Sequence, residues 1–172
     1  MTNHSSNKRI DTASRTIQAS PQTIYHAFVD PEALVMWLPP EGMKGRIFEF
    51  NPVAGGTYRM SLTYLENDGT MQGKTSEDTD VVEGTFLEFV PDERIVQAVV
   101  FESDDPDFAG EMIMAWTLAA DPKGTVVTIV CENVPAGIRK EDHDVGLKST
   151  LENLALYTEH QVGELNQLNL DC

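Results

Sequence analysis

The sequence predicts an α+β fold, in which one antiparallel sheet of about seven strands is covered on its concave face by a long C-terminal helix. Three observations lead there. Over Asp144–Leu165, the residues Leu147, Leu151, Leu154, Ala155, Thr158, Val162 and Leu165 recur at the 3.6-residue helical period, while Lys148, Glu152, Glu159 and Glu164 project elsewhere. From Gly45 to Glu132 the apolar residues instead alternate with polar ones, the period of half-buried strands. Between a short first strand and that alternating region stand two helix-start signatures, Ser20-Pro21 and Asp30-Pro31, each an N-cap residue followed by proline at the first helical position.

Taken in order, residues Met1–Ala13 are polar apart from Ile10 and are expected to form a mobile tail, as are residues 166–172, leaving one domain over 14–165. Ser14–Ala19 is the predicted first strand. Gln22–Val29 follows as a short helix with Ile24, Ala27 and Phe28 inward, and a second helix opens at Pro31 and ends near Trp37-Leu38, where Pro39-Pro40 stops it. Arg46–Phe50 is the next strand, Asn51–Gly56 a turn, and in Thr57–Tyr64 the residues Tyr58, Met60, Leu62 and Tyr64 share a face. Glu66–Asp80 is polar and is expected to be a mobile loop. Val81–Phe89 and Arg94–Phe101 are joined by a turn with Pro91 in its second position, and Ser103–Phe108 is an acidic turn. Met112, Met114, Trp116 and Leu118 line one face of Gly110–Ala119, and after the turn Asp121–Gly124 the strand Thr125–Glu132 presents Val127, Ile129 and Cys131. A stripe on so long a helix must be buried, and the sheet is its partner; Val145 and Leu156 fall on the opposite side, which suggests a second subunit there.

Composition narrows the function classes. The 172 residues are 41% hydrophobic and 23% charged, which fits a single globular domain. Twelve Lys and Arg against 28 Asp and Glu give a formal charge of −16, which argues against nucleic acid and acidic membrane surfaces as partners. Two cysteines, Cys131 and Cys172, do not make a disulfide framework, the N-terminal residues lack the apolar run of a signal peptide, and no apolar stretch of about 18 residues suits a membrane span. A cytoplasmic location without membrane insertion is the expectation.

The runs IQASPQTIYHAFVDPEALVMWL, NPVAGGTYRM, GTFLEFVPDERIV, GTVVTIVCENVP and IRKEDHDVGLKSTLENL, in this order over about residues 14 to 160, resemble the family of activator of heat-shock protein 90 ATPase homologues. That family is part of the START-related, birch-pollen-allergen-like superfamily, also called SRPBCC, which includes polyketide cyclases and lipid carriers. The resemblance implies a helix-grip fold, with the sheet wrapped around the C-terminal helix and a cavity between them. Where many relatives carry Gly-Trp at the start of the last helix this chain has Gly146-Leu147, and the loop Glu66–Asp80 is longer than usual. The smaller Leu147 predicts a retained gap at the cavity mouth, since interiors are otherwise close-packed.

No chemical motif competes with this reading. His4, His26, His143 and His160 show no paired metal-ligand spacing, Gly55-Gly56 precedes a strand rather than a helix, and no G-x-S-x-G elbow is present. His143 falls just before the last helix, where it would help to position that helix's N-terminus, although a positive imidazole there opposes the helix dipole. Cys131, on a strand face with Val127 and Ile129, reads as a small buried hydrophobe. No catalytic residue, metal or cofactor is nominated. The candidate ligand-lining residues are Trp37, Tyr58, Met60, Met112, Met114, Trp116, Cys131, Leu147 and Leu151, whose aromatic and sulfur groups suit an adaptable apolar pocket, although such residues more often simply fill a core. The expected function is binding of a small hydrophobic molecule between sheet and C-terminal helix. The rivals are a protein-interaction module that contacts a chaperone ATPase and a cyclase- or hydratase-type enzyme using the same cavity.

Overall fold

The computed structural model describes residues 9–65, 73–76 and 78–170, with side chains of the last helix described as far as His160. The strand β1 (Ile10–Ile17) leads into helices α1 (Pro21–Val29) and α2 (Pro31–Trp37). Six strands follow: β2 (Met43–Phe50), β3 (Thr57–Tyr64), β4 (Thr79–Val90), β5 (Arg94–Phe101), β6 (Met112–Asp121) and β7 (Gly124–Glu132). The chain then enters α3 (Lys140–Leu170). The strands form one antiparallel sheet in the order β1-β7-β6-β5-β4-β3-β2, so each of β2 to β7 pairs with its neighbour in sequence and β1 closes onto β7 across the sheet's far edge. This is the helix-grip arrangement.

Local chemistry accounts for the helix pair. The Ser20 hydroxyl accepts a hydrogen bond from the Thr23 amide (3.1 Å), the Asp30 carboxylate accepts one from the Glu32 amide (3.0 Å), and a proline opens each helix. The helix α2 stops at Leu38, where α3 takes over its free carbonyls. Thr150 donates to the Leu38 carbonyl (3.0 Å), Asn153 to that of Pro39 (2.9 Å), and the Glu41 amide donates to Ser149 (2.8 Å). Two β-bulges, at Phe48 in β2 and Leu87 in β4, each insert one exposed residue and turn Phe50, Phe86 and Phe89 toward the same aromatic cluster. In the turn after β4 the Glu93 amide donates to the Val90 carbonyl and Asp92 has φ of 64°, the type II geometry that follows from Pro91 in second place.

The stripe of α3 packs as its period requires. Leu147, Leu151, Leu154 and Ala155 are buried against the sheet face that carries Tyr58, Met60, Val99, Trp116 and Ile129. Thr158, fully buried in the same stripe, folds its hydroxyl back onto the Leu154 carbonyl at 2.7 Å and so leaves no polar group unmatched. Val162 and Leu165 lie outside the described side chains, whereas Val145 and Leu156 are exposed, as their position opposite the stripe implied.

Three segments differ from the sequence reading. The last helix begins at Lys140, which puts His143 inside its first turn rather than before it, and runs to Leu170, through most of the expected tail 166–172. The first strand runs from Ile10, not Ser14, so part of the expected tail is sheet. Asp11 holds it there: its buried carboxylate accepts from Arg9 (2.7 and 3.1 Å) and lies 2.7 Å from Nδ1 of His143, while Arg9 donates to the Ile138 carbonyl. Polarity alone hid this because the ion pair is closed by residues at the other end of the chain. Likewise the expected loop 66–80 gives up its last part to β4, and Lys74 is fixed by Asp80 (3.0 Å) with the rings of Phe101 and Phe108 beside its ammonium group. Residues 66–72 and 77 of that expectation lie outside the described residues.

Candidate functional site

Strand alternation and one glycine build the polar side of a pocket. Tyr58 on β3 stands opposite Gly84 on β4, and its ring lies directly over that glycine: a Cβ there would come within 2.1 Å of the ring carbon Cε1. With no side chain in the way, Tyr58 reaches across β4 and donates its hydroxyl proton to Oε1 of Gln97 on β5, at 2.5 Å. Gln97 occupies an inward position between Ile95 and Val99, where alternation calls for an apolar residue. Burial pushes the Tyr58 phenol well above its ordinary pKa, so it remains a neutral donor.

Above this pair sits a triangle of aromatic rings. Phe28 of α1, Trp37 of α2 and Trp116 of β6 meet edge to face with centroids 4.8, 5.0 and 5.8 Å apart. The two indoles differ in one respect. Trp37 donates its ring N–H to the Ala27 carbonyl at 2.9 Å, whereas the buried Nε1–H of Trp116 has no acceptor among the described residues. An unmatched buried donor is uncommon and calls for a partner.

The pocket enclosed here is walled by Phe28, Leu34, Trp37, Leu38, Phe50, Tyr58, Phe86, Ile95, Gln97 and Trp116. Its free volume is about 20 Å³, room for about one water molecule. Seven of its walls are buried; Leu38, Phe50 and Gln97 are partly exposed and form its rim. No wall carries a charge.

Of the nine residues nominated from sequence, Trp37, Tyr58 and Trp116 come together as walls of this pocket. Met60, Met112, Cys131, Leu147 and Leu151 are buried in the surrounding core, and Met114 packs half-buried against it. The gap expected beside Leu147 is not part of this pocket, which lies against the α1–α2 pair; Leu147 itself is 6% exposed and closely covered. Cys131 is inert, since burial, reinforced by the Asp11 carboxylate, pushes its thiol up to about 12. Sequence reasoning missed Gln97 and Gly84, although each broke the pattern of its strand: one polar and one without a side chain where an apolar residue belonged.

The comparisons with known proteins agree with this architecture. No curated protein matches the chain. Among solved structures, a protein from Chromobacterium violaceum is 34% identical and superposes with a TM-score of 0.77, covering 87% of this chain and 96% of its own. A protein described as AHSA1-like from Aeromonas hydrophila (17% identity, 89% and 94% coverage, TM-score 0.66) and one from Mesorhizobium loti (19%, 88% and 98%, 0.66) share the fold. The sequence model for activator of Hsp90 ATPase homolog 1-like proteins matches residues 18–159, most of the domain just described, and the chain belongs to that family.

Proposed function

We propose that this protein binds a small hydrophobic molecule in the pocket between the sheet and the α1–α2 pair. The observation that carries the reading is the wall chemistry: a recess that reaches the surface, lined by aromatic and aliphatic side chains, with no charged group and one neutral polar pair, Tyr58 and Gln97, in its wall. A free volume of about 20 Å³ is too small for any molecule of several heavy atoms, so binding spreads the rim. Spreading it at Leu38 works against the three side-chain hydrogen bonds by which Ser149, Thr150 and Asn153 of α3 hold residues 38–41.

Both tryptophans of the chain wall this pocket, so their emission reports its occupancy. Titration with the neutral probe N-phenylnaphthylamine is expected to give saturable energy transfer from tryptophan at roughly one-to-one stoichiometry, and native mass spectrometry of fresh protein is expected to show a small-molecule adduct. Probe binding no stronger than to an unrelated globular protein would overturn the reading.

A second reading rests on a separate observation. Val145 and Leu156 are 68% and 62% exposed on the back of α3, an apolar surface on which a second copy of this chain, or a chaperone of the kind the family description names, would dock. Sedimentation at micromolar concentration tests the second copy, and a pull-down with a chaperone ATPase tests the other. A monomer that captures no chaperone, or complexes indifferent to Leu156→Glu, would remove this reading.

A further inference from the structure

We infer that the molecule taken up by this pocket is neutral and presents a single hydrogen-bond acceptor, such as a ketone, ether or alcohol oxygen, to the ring N–H of Trp116. The inference rests on the proposed ligand-binding function and specifies the chemistry of its ligand.

Of the three aromatic donors at the pocket two are spent and one is not, while the half-buried Gln97, which accepts from Tyr58, adds the N–H groups of its own side-chain amide at the rim. Tyr58 gives its only proton to Gln97, and Trp37 gives its own to the Ala27 carbonyl. The Nε1–H of Trp116, on a side chain only 1% exposed, is left without an acceptor among the described residues. An indole nitrogen donates and never accepts, so it selects for an acceptor on the guest and gives nothing to a guest that only donates.

Charge excludes the anionic alternative. A carboxylate is the strongest acceptor available to a ligand, but in this pocket it would meet no Lys, Arg or His. It would lose its hydration against aromatic walls, inside a chain of formal charge −16. A neutral oxygen forfeits far less hydration and recovers it in one hydrogen bond. An apolar guest without oxygen gains the same contact with the rings but leaves the indole donor unmatched, which a well-placed oxygen avoids. The remaining walls, Phe28, Trp37, Phe50 and Phe86 among them, then hold the rest of the guest by contact alone.

The test uses two probes of nearly equal shape, cyclohexanone and methylenecyclohexane, and a third, cyclohexanecarboxylate, that carries the charge on the same ring size. Binding to the full chain is followed by NMR, where the two indole N–H resonances are separate reporters and Trp37, already bonded, serves as the internal reference. The expected result is that the ketone binds about five- to tenfold more tightly than the alkene, as one matched donor implies, and moves the Trp116 N–H resonance much more than that of Trp37. The carboxylate is expected to bind more weakly than either. In Trp116→Phe, which keeps an aromatic wall, the preference for the ketone over the alkene should disappear while the alkene still binds. Equal affinities for ketone and alkene in the native protein, or a preference that survives in Trp116→Phe, overturn the acceptor assignment and leave the hydrophobic pocket standing. Should none of the three bind, and N-phenylnaphthylamine fail as well, the ligand-binding function falls together with this inference.

Discussion

Replacing Gly84 with alanine places a methyl carbon where the Tyr58 ring already lies, with 2.1 Å between their centres. Either the ring swings away and loses Gln97 or β3 and β4 separate, and we expect a loss of about 1 to 3 kcal/mol in urea unfolding together with altered tryptophan emission. Unchanged stability would mean that Tyr58 is not held over the glycine. Asp11 makes a second prediction at the same scale. Burial on its own would raise its pKa, but the hydrogen bonds from Arg9 and His143 outweigh that and hold the carboxyl below the usual aspartate value. A depressed folded pKa contributes stability that is fully present above the unfolded value and is lost as pH falls through the folded one. Asp11→Asn should therefore destabilise by about 3 kcal/mol near neutrality, the scale for breaking a buried ion pair. The difference from the native protein should shrink below about pH 4. Chemical denaturation of both proteins across that range checks the sign; a gap that widens in acid would refute it.

At the scale of elements, α3 does two jobs with two faces. Its apolar stripe closes the core: Leu151→Ala, at a residue 2% exposed, should cost about 2 to 5 kcal/mol, whereas Glu152→Ala on the exposed side should stay within about 0.5 kcal/mol. Its flanking polar residues Ser149, Thr150 and Asn153 hold the segment that follows α2. Asn153→Ala should thus speed amide hydrogen exchange around residues 38–42 while leaving the centre of α3 protected, at a cost of about 1 kcal/mol. Unaltered exchange there would show that α2 is held by its apolar contacts alone.

For the whole molecule, close packing around the last helix decides what a larger side chain does. Leu147→Trp would introduce the residue that the family resemblance led one to expect, but Leu147 is 6% exposed and is not among the pocket walls. Overpacking of about 1 to 3 kcal/mol is the expected outcome, with N-phenylnaphthylamine binding retained. Loss of binding without loss of stability would place the ligand under α3 instead.

Periodicity and capping made most of the architecture legible from the chain alone. A helical stripe from Leu147 to Thr158, alternation from Thr57 to Glu132 and two Ser/Asp-Pro starts each depend on neighbours a few residues away, and such local terms can be read in order along a sequence. The acidity and the aromatic and sulfur-rich inner faces were legible for the same reason. The beginning of β1 was not, because Asp11 is held in the sheet by His143, 132 residues away in sequence. The location of the pocket was equally out of reach. It depends on which large side chains meet: Leu147 is covered, while Phe28, Trp37 and Trp116 converge from three elements over a glycine that lets Tyr58 reach Gln97. Whether the ring N–H of a buried tryptophan finds an acceptor is set by the distances between such elements, and those exist only once the tertiary fold has formed.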